Sequence, residues 1–205
     1  MLNEIKRHPL VTNVNVEMGN GYQSIDEMIQ DAHDNGCDAL ANCTGLGSAK
    51  LCKDENLIGG RGVLLHYERN CDRKIDDESM EHDAAILVED APWGSSTDPA
   101  YVIPRGNVFV VGGTYYENNT ETKLSENERK RLVENADLLG IDTSITSPVS
   151  EWAGFRPVRQ TVRMEIDEKS SSESKLRIVH SYGHGGSGWT TYVGAAKEVA
   201  ELLCS

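Results

Sequence analysis

The stretch VHSYGHGGSGWTTYVGAAKEVAELL, Val179 to Leu203, decides how this chain is read. An apolar run delivers the chain into His184-Gly-Gly-Ser-Gly-Trp-Thr190, and an amphipathic run follows to Leu203. That order predicts strand, loop and helix, with the helix from about Thr190. Three glycines, Gly185, Gly186 and Gly188, permit backbone conformations and close approaches denied to other residues. The N–H groups at the start of the helix have no partner within it and attract electron-rich oxygens. Such a loop could cradle a phosphate or the edge of an electron-rich ring, or it could only reverse the chain. Spacing alone leaves both readings open.

Outward from this loop, the pattern is mixed. Leu10 to Met18 alternates like a strand, and Ser24-Ile-Asp-Glu27 is a capping-box signature opening a helix to about Asn35. Strands are expected at Asp38–Cys43, Gly62–Tyr67, Ala84–Glu89, Tyr101–Pro104 and Asn107–Tyr116, the last two joined by the turn sequence Pro-Arg-Gly-Asn. Arg69 to Glu81 is charged and reads as a surface excursion. A second capping box, Ser125-Glu-Asn-Glu128, opens a helix to about Leu139, with Gly140 as its stop. Strands at Gln160–Asp167 and Lys175–Ser181 flank a polar hairpin loop. Hairpins in the middle and strand–loop–helix units at the ends predict an α+β fold with α/β character at the termini.

Composition narrows the function. The 205 residues carry a formal net charge of -13, which argues against a nucleic-acid surface. No apolar run approaches the ~20 residues of a membrane span, and residues 1–30 carry charges throughout, so no signal peptide is visible. The five cysteines form no CxxC pair and are odd in number, as expected of free thiols in a reduced, intracellular compartment. The two Asn-x-Thr sequons then read as coincidence. The closing Leu-Cys-Ser does not match the Ser-Lys-Leu peroxisomal address.

Two further stretches bear on chemistry. Gly19-Asn-Gly-Tyr-Gln-Ser24 nearly spells GxGxxG, but Ser24 stands where the third glycine belongs and serves better as a helix N-cap. A turn and cap is the simpler reading. In Gly154-Phe-Arg156-Pro-Val-Arg159-Gln-Thr-Val-Arg163, an extended Val158–Ile166 puts Val158, Val162, Met164 and Ile166 on one face. Arg159, Thr161, Arg163 and Glu165 fall on the other. Arg159 facing a cavity suits a bidentate grip on a carboxylate, whereas a salt-bridged sheet surface would use the same residues structurally. No nucleophile–base pair and no metal-ligand cluster stands out.

Taken together, GFRPVRQTVRME and HSYGHGGSGWTTYVGAAKEVAELL resemble the C-terminal part of the D-amino-acid oxidase and D-aspartate oxidase family. DALANCTGLGSAKL, GGRGVLLHYE and PAYVIPRGNVFVVGGTYYENN resemble it in the same order. The resemblance spans roughly residues 24–203 and is poorest between about Cys71 and Ser96. It implies an FAD-dependent oxidase that converts a D-amino acid to its imino acid, which hydrolyses to an oxo acid and ammonia. Oxygen reoxidises the flavin and gives hydrogen peroxide. Hydride passes from Cα to the flavin, so alignment and electrostatics would do the catalytic work.

By position, the resemblance makes Arg159 the holder of the substrate carboxylate and Tyr101 a hydroxyl donor to it. The Gly186 carbonyl would accept from the substrate amino group. Gly185, Gly186, Ser187, Gly188, Trp189 and Thr190 would lie along the flavin ring, and Thr44 and Gly45 would touch FAD. Many family members carry a second tyrosine where Thr97 stands, so neutral and acidic D-amino acids are not separated by this sequence. The implied architecture is an incomplete FAD-binding domain plus a mostly antiparallel substrate-binding sheet. Residues 1–58 and 162–205 would form the FAD-binding side and residues 59–161 the substrate side. The setting is cytoplasmic or peroxisomal, and a homodimer is compatible with the complete protein.

The family's opening strand, GxGxxG loop and helix, which hold the ADP part of FAD, have no counterpart in this sequence, and Gly19–Ser24 falls in the wrong place to substitute. Three accounts are compatible with this. The favoured one is a fragment or truncated gene model of a complete oxidase; the others are a flavin-free short paralogue that binds a partner or small carboxylate, and a chain completed by a separate front half. An exposed parallel-sheet edge would then make the isolated chain poorly stable or prone to aggregate.

Overall fold

The computed structural model describes residues 21–69, 84–89, 99–168 and 176–205. The expected strand Leu10–Met18, most of the Arg69–Glu81 excursion, Thr97 and the loop 169–175 lie outside them. In chain order the elements are α1 (Ile25–Asp34), β1 (Ala39–Asn42), α2 (Gly47–Leu51), β2 (Ile58–Glu68), β3 (Ile86–Val88), β4 (Ala100–Arg105) and β5 (Val108–Gly112). They continue with β6 (Tyr116–Glu117), α3 (Glu126–Leu138), β7 (Ser150–Ile166), β8 (Arg177–His184), a single 3-10 turn at Gly185–Ser187, and α4 (Gly188–Cys204).

The strands form one mixed sheet in the order β1-β8-β7-β2-β5-β4-β3, with β6 also pairing with β2. Among the described residues β1 and β8 run parallel, and the other pairs are antiparallel. This is the α+β sheet that the hairpin-rich middle of the sequence predicts, with its α/β character confined to the β1–β8 side. β7 is longer than its sequence pattern suggests, because it pairs with β2 from Ser150 to Val158 and with β8 beyond it. A register shift between Val158 and Arg163 marks the changeover, as bulges do where a strand must bend.

Strand alternation divides the sheet into two faces. Val63, Leu65 and Tyr67 of β2 point to one face, where they join Val102, Val111, Leu124, Leu132 and Ala136 in the main core under α3. Each such buried aliphatic side chain contributes about 1.5–3 kcal/mol. The opposite face of β2 begins Gly60, Gly62 and Leu64, and this glycine-bearing side holds the candidate site. A second core forms where Ile25, Met28 and Ala32, spaced for one helix face, meet Leu51, Leu176 and Ile178.

The capping box expected at α3 forms, whereas the one expected at α1 forms only in its Ser24 half. At α3 the box is reciprocal: the Ser125 Oγ accepts from the Glu128 N–H, and the Glu128 carboxylate accepts from the Ser125 N–H. At α1 the Ser24 Oγ accepts from the Glu27 N–H, but the Glu27 carboxylate reaches one residue further back, to the Gln23 N–H at 2.6 Å. α4 has no buried residue, and Trp189, stacked on Tyr192, is 73% exposed. Among the described residues no helix is long and apolar enough to cross a membrane.

Candidate active site

Three elements bring the expected residues toward one place. β4 presents Tyr101, which pairs with Gly112 across the ladder. A Cβ on Gly112 or Gly113 would overlap the Tyr101 ring, so the bare glycine pair is what lets the phenol lie flat on the sheet. β7 presents Arg156 opposite Gly60, and a Cβ on the neighbouring Gly62 would overlap its guanidinium. The loop after β8 brings Gly186 alongside, where an added Cβ would stand 3.6 Å from the Arg156 Cδ. The Arg156 Nη1 donates a long hydrogen bond, 3.4 Å, to the Thr114 carbonyl.

The arginine at this place is Arg156; Arg159, expected here, lies on the opposite side of the strand, where it lines a separate polar depression with Asp54. Val158 shares the face of Arg156: its side chain stands against Gly60 and Gly185. Arg159, the next residue, turns the other way, with its Cβ against Gly183. Its Nε lies 3.1 Å from the Asp54 Oδ2, and its Nη1 donates to the Thr161 carbonyl at 2.7 Å. The sequence held the signal, since extending the Val158 alternation two residues back puts Arg156 on the apolar, glycine-lined side.

Burial keeps the site phenol protonated. Burial pushes the Tyr101 hydroxyl up, and the pull of the Arg156 and Arg105 guanidiniums only partly offsets it. Tyr101 is therefore a donor at neutral pH, beside a guanidinium that accepts nothing. Together they suit an anionic, planar group such as a carboxylate. Trp152, whose ring covers Gly154, adds an exposed apolar surface four residues before Arg156 on the same strand face.

The glycine loop is shaped for close approach. Gly183 (φ +86°) and Gly185 (φ +58°) occupy the left-handed region, and at Gly183 the adjacent Arg159 Cβ leaves no room for a side chain. α4 starts at Gly188, two residues earlier than its pattern suggests, and Ser187 makes no side-chain cap to it. Ser187 and Trp189 are exposed at this helix start.

The Thr44–Gly45 turn is fixed from beneath by Asn42, which is fully buried. The Asn42 Oδ1 accepts from the Thr44 N–H, the Thr44 hydroxyl and the Ser48 hydroxyl. That assignment leaves the Asn42 Nδ2 to donate to the His180 Nδ1 at 3.0 Å and to the Cys52 Sγ at 3.3 Å. His180, also fully buried, then carries its proton on Nε2 and donates it to the Asp167 Oδ2 at 2.6 Å.

Asp54 is the hub behind the loop. Its Oδ2 accepts from the Tyr182 hydroxyl at 2.8 Å as well as from Arg159. Arg163 Nη1 in turn donates to the Tyr182 oxygen at 2.8 Å. Arg159 and Arg163 line an open polar depression of about 380 Å³ with Asp54, Asn56 and Glu165. Burial works to raise the Asp54 carboxyl, but the hydrogen bonds from Tyr182 and the Asn56 N–H, with the Arg159 charge, outweigh it and hold it low. Sequence reading missed Asp54, because an aspartate in Lys-Asp-Glu-Asn looks like a solvated turn.

Asp54→Asn is expected to cost roughly 2 kcal/mol near neutral pH. A depressed folded-state pKa contributes stability that is present above the unfolded value of about 3.9 and is lost as pH falls through the folded value. The gap between wild type and variant should therefore shrink below about pH 4. Urea unfolding at about pH 7 and about pH 3 checks this, and an offset equal at both would remove the ion pair from the account.

Among the described residues, no group of three His, Cys, Asp or Glu side chains converges as a metal site would. The described cysteines, Cys37, Cys43, Cys52 and Cys204, are free thiols.

Known proteins resemble this chain. The FAD dependent oxidoreductase family model, DAO, matches residues 4–202. A D-amino acid oxidase of Dugesia ryukyuensis is 32% identical over 170 residues, covering 80% of this chain and 45% of that protein. D-aspartate oxidase 1 of Caenorhabditis elegans is 29% identical, covering 86% and 48%. D-amino-acid oxidase of Dictyostelium discoideum is 33% identical, covering 81% and 43%. Glycine oxidase from Bacillus cereus shares the fold at a TM-score of 0.60 with 19% identity, over 82% of this chain and 43% of that one. The chain thus spans about half the length of the curated relatives it matches. With its glycine loop, its mixed sheet and this match across nearly its whole length, the chain belongs to the FAD-dependent oxidoreductase family of the D-amino-acid oxidases.

Proposed function

We propose that this chain carries the substrate-gripping half of an FAD-dependent oxidase of D-amino acids, yielding 2-oxo acid, ammonia and hydrogen peroxide. The observation that carries the reading is the convergence of Arg156, Tyr101 and Gly186 on one glycine-lined face. Arg156 grips the substrate carboxylate and Tyr101 donates its hydroxyl to the same group. The Gly186 carbonyl accepts from the substrate amino group. Two charged ends held at fixed points orient Cα. A transfer step of this kind needs alignment more than proton abstraction by protein.

The residues present fit the cofactor. Gly185 and Gly186 present bare backbone for close approach, and the start of α4, which Ser187 does not cap through its side chain, suits electron-rich oxygens. Gly185 to Thr190 would lie along the flavin ring, and Thr44 and Gly45 would meet the cofactor from β1. Bound FAD would supply the acceptor for the hydrogen and electron pair that leave Cα, with dioxygen as final acceptor. On this reading residues 1–58 and 162–205 serve the cofactor and residues 59–161 the substrate. The free thiols favour an intracellular setting, cytoplasmic or peroxisomal.

The test is a visible absorption spectrum after incubation with FAD and desalting, followed by a neutral D-amino acid under nitrogen. Retained yellow colour that bleaches is the expected result. Retained flavin that no D-amino acid bleaches would overturn the reading. A colourless protein would overturn flavin binding by this chain alone and turn attention to a flavin-free module that binds a small carboxylate.

A further inference from the structure

We infer that Glu117, with Tyr115, makes this site select D-amino acids with cationic side chains and turn away D-aspartate and D-glutamate. The inference rests on the reading of Arg156 as the carboxylate grip.

The argument starts from sheet register. Gly60 of β2 pairs with Glu117 on one side and with Arg156 on the other. Directly opposed residues project from the same face. Glu117, Gly60 and Arg156 therefore form one row across three strands, with the outer two roughly 10 Å apart along it. Gly60 leaves the middle of the row bare. The Tyr115 ring fills that space, since a Cβ on Gly60 would overlap it, and Val158 closes the other side.

Tyr115 connects the two charges. Its hydroxyl donates to the Glu117 Oε1 at 3.2 Å. Burial and that carboxylate raise the Tyr115 pKa, while the Arg156 charge acts in the opposite sense, so the phenol stays a donor. Arg156 and Glu117 thus act on the same ring from its two sides.

The electrostatic consequence follows from order of binding. An empty site offers one cation and one anion. When a substrate carboxylate neutralises Arg156, the remaining fixed charge of the row is the Glu117 carboxylate. A substrate side chain reaching along the row then meets negative charge. A guanidinium or ammonium is attracted there and a second carboxylate is repelled. Tyr115 supplies a flat surface along which an aliphatic stem can lie.

The test measures protection from thermal unfolding by D-arginine, D-alanine and D-aspartate over a concentration series, with the FAD-incubated protein under nitrogen. D-arginine is expected to half-saturate at a concentration roughly tenfold below that of D-aspartate. Glu117→Gln should bring the two within about twofold, because it keeps the shape and removes the charge. Tyr115→Phe, which keeps the ring and frees the carboxylate, should preserve the preference. D-aspartate binding as well as D-arginine, or a preference unchanged in Glu117→Gln, would overturn the inference while leaving the grip of Arg156 intact. Protection by none of the three would overturn both.

Discussion

Arg156→Ala is expected to lower kcat/KM for a D-amino acid by roughly three orders of magnitude, near 4 kcal/mol of lost transition-state stabilisation. The size follows from geometry. The guanidinium lies over Gly62 on the face that carries Tyr101, with Gly186 beside it. Truncation would remove the charge that pairs with the carboxylate and the planar fork that fixes its orientation. The loss should fall on both kcat and KM, because a misoriented substrate holds Cα in the wrong place. Arg156→Lys keeps the charge without the fork and should recover a minor part. Arg159→Ala is the internal comparison. Its partners are Asp54 and Thr161, so it should lower the melting temperature and leave the KM nearly unchanged. Flavin reduction followed under nitrogen at a series of D-amino acid concentrations distinguishes the two. A thousandfold loss in Arg159→Ala, with a mild effect of Arg156→Ala, would return the grip to Arg159.

These two arginines show where the sequence was legible and where it was not. Helix starts were legible because Ser24 and Ser125 announce them with local chemistry, three residues ahead of a glutamate. The strand–loop–helix reading of Val179–Leu203 was legible because glycine clustering and periodicity change together. Tyr101 was legible only through resemblance, since a tyrosine in an apolar strand reads equally well as core. The choice among the arginines of GFRPVRQTVR was not legible from alternation taken locally. Alternation read forward from Val158 meets the irregularity before Arg163, and only when it is carried back across Pro157 does it place Arg156 on the face of Val158. Asp54 and Glu117 were missed for a related reason. Each acts through a partner distant in sequence, Tyr182 for one and Arg156 across Gly60 for the other. A charged residue in a polar stretch gives no local sign of that. β7 itself was read short because Ser150–Gly154 carries no alternation. Its strand identity comes from the pairing of Ser150–Val158 with His66–Ile58.

The same glycine-rich strand makes Arg61 the residue whose loss should cost the fold most. Arg61 follows Gly60 and so faces the α3 side, where it is 1% exposed. Its Nε donates to the Glu121 carbonyl at 2.6 Å and its Nη2 to the Lys123 carbonyl at 2.8 Å. Its fork also pairs with the Glu128 carboxylate, which is itself the reciprocal member of the α3 capping box. One guanidinium therefore satisfies the segment leading into α3 and anchors the helix start against β2. Burial works to raise the Glu128 carboxyl, and the bonds from Arg61 and Ser125 outweigh it and hold it low. Arg61→Ala would leave a carboxylate without its cation and two carbonyls without donors, beside a void. Breaking a buried pair in this way costs about 3–5 kcal/mol, a large share of the 5–15 kcal/mol that a domain has. Arg61→Met fills the void but leaves the carboxylate unpaired, so it should recover only part of the loss. Glu128→Gln in the Arg61→Met background removes the stranded charge and should recover more. Urea unfolding of the four proteins checks this. A double variant no more stable than Arg61→Met would assign the loss to packing and the carbonyls, and a loss under about 1 kcal/mol in Arg61→Ala would show that water replaces the guanidinium at little cost.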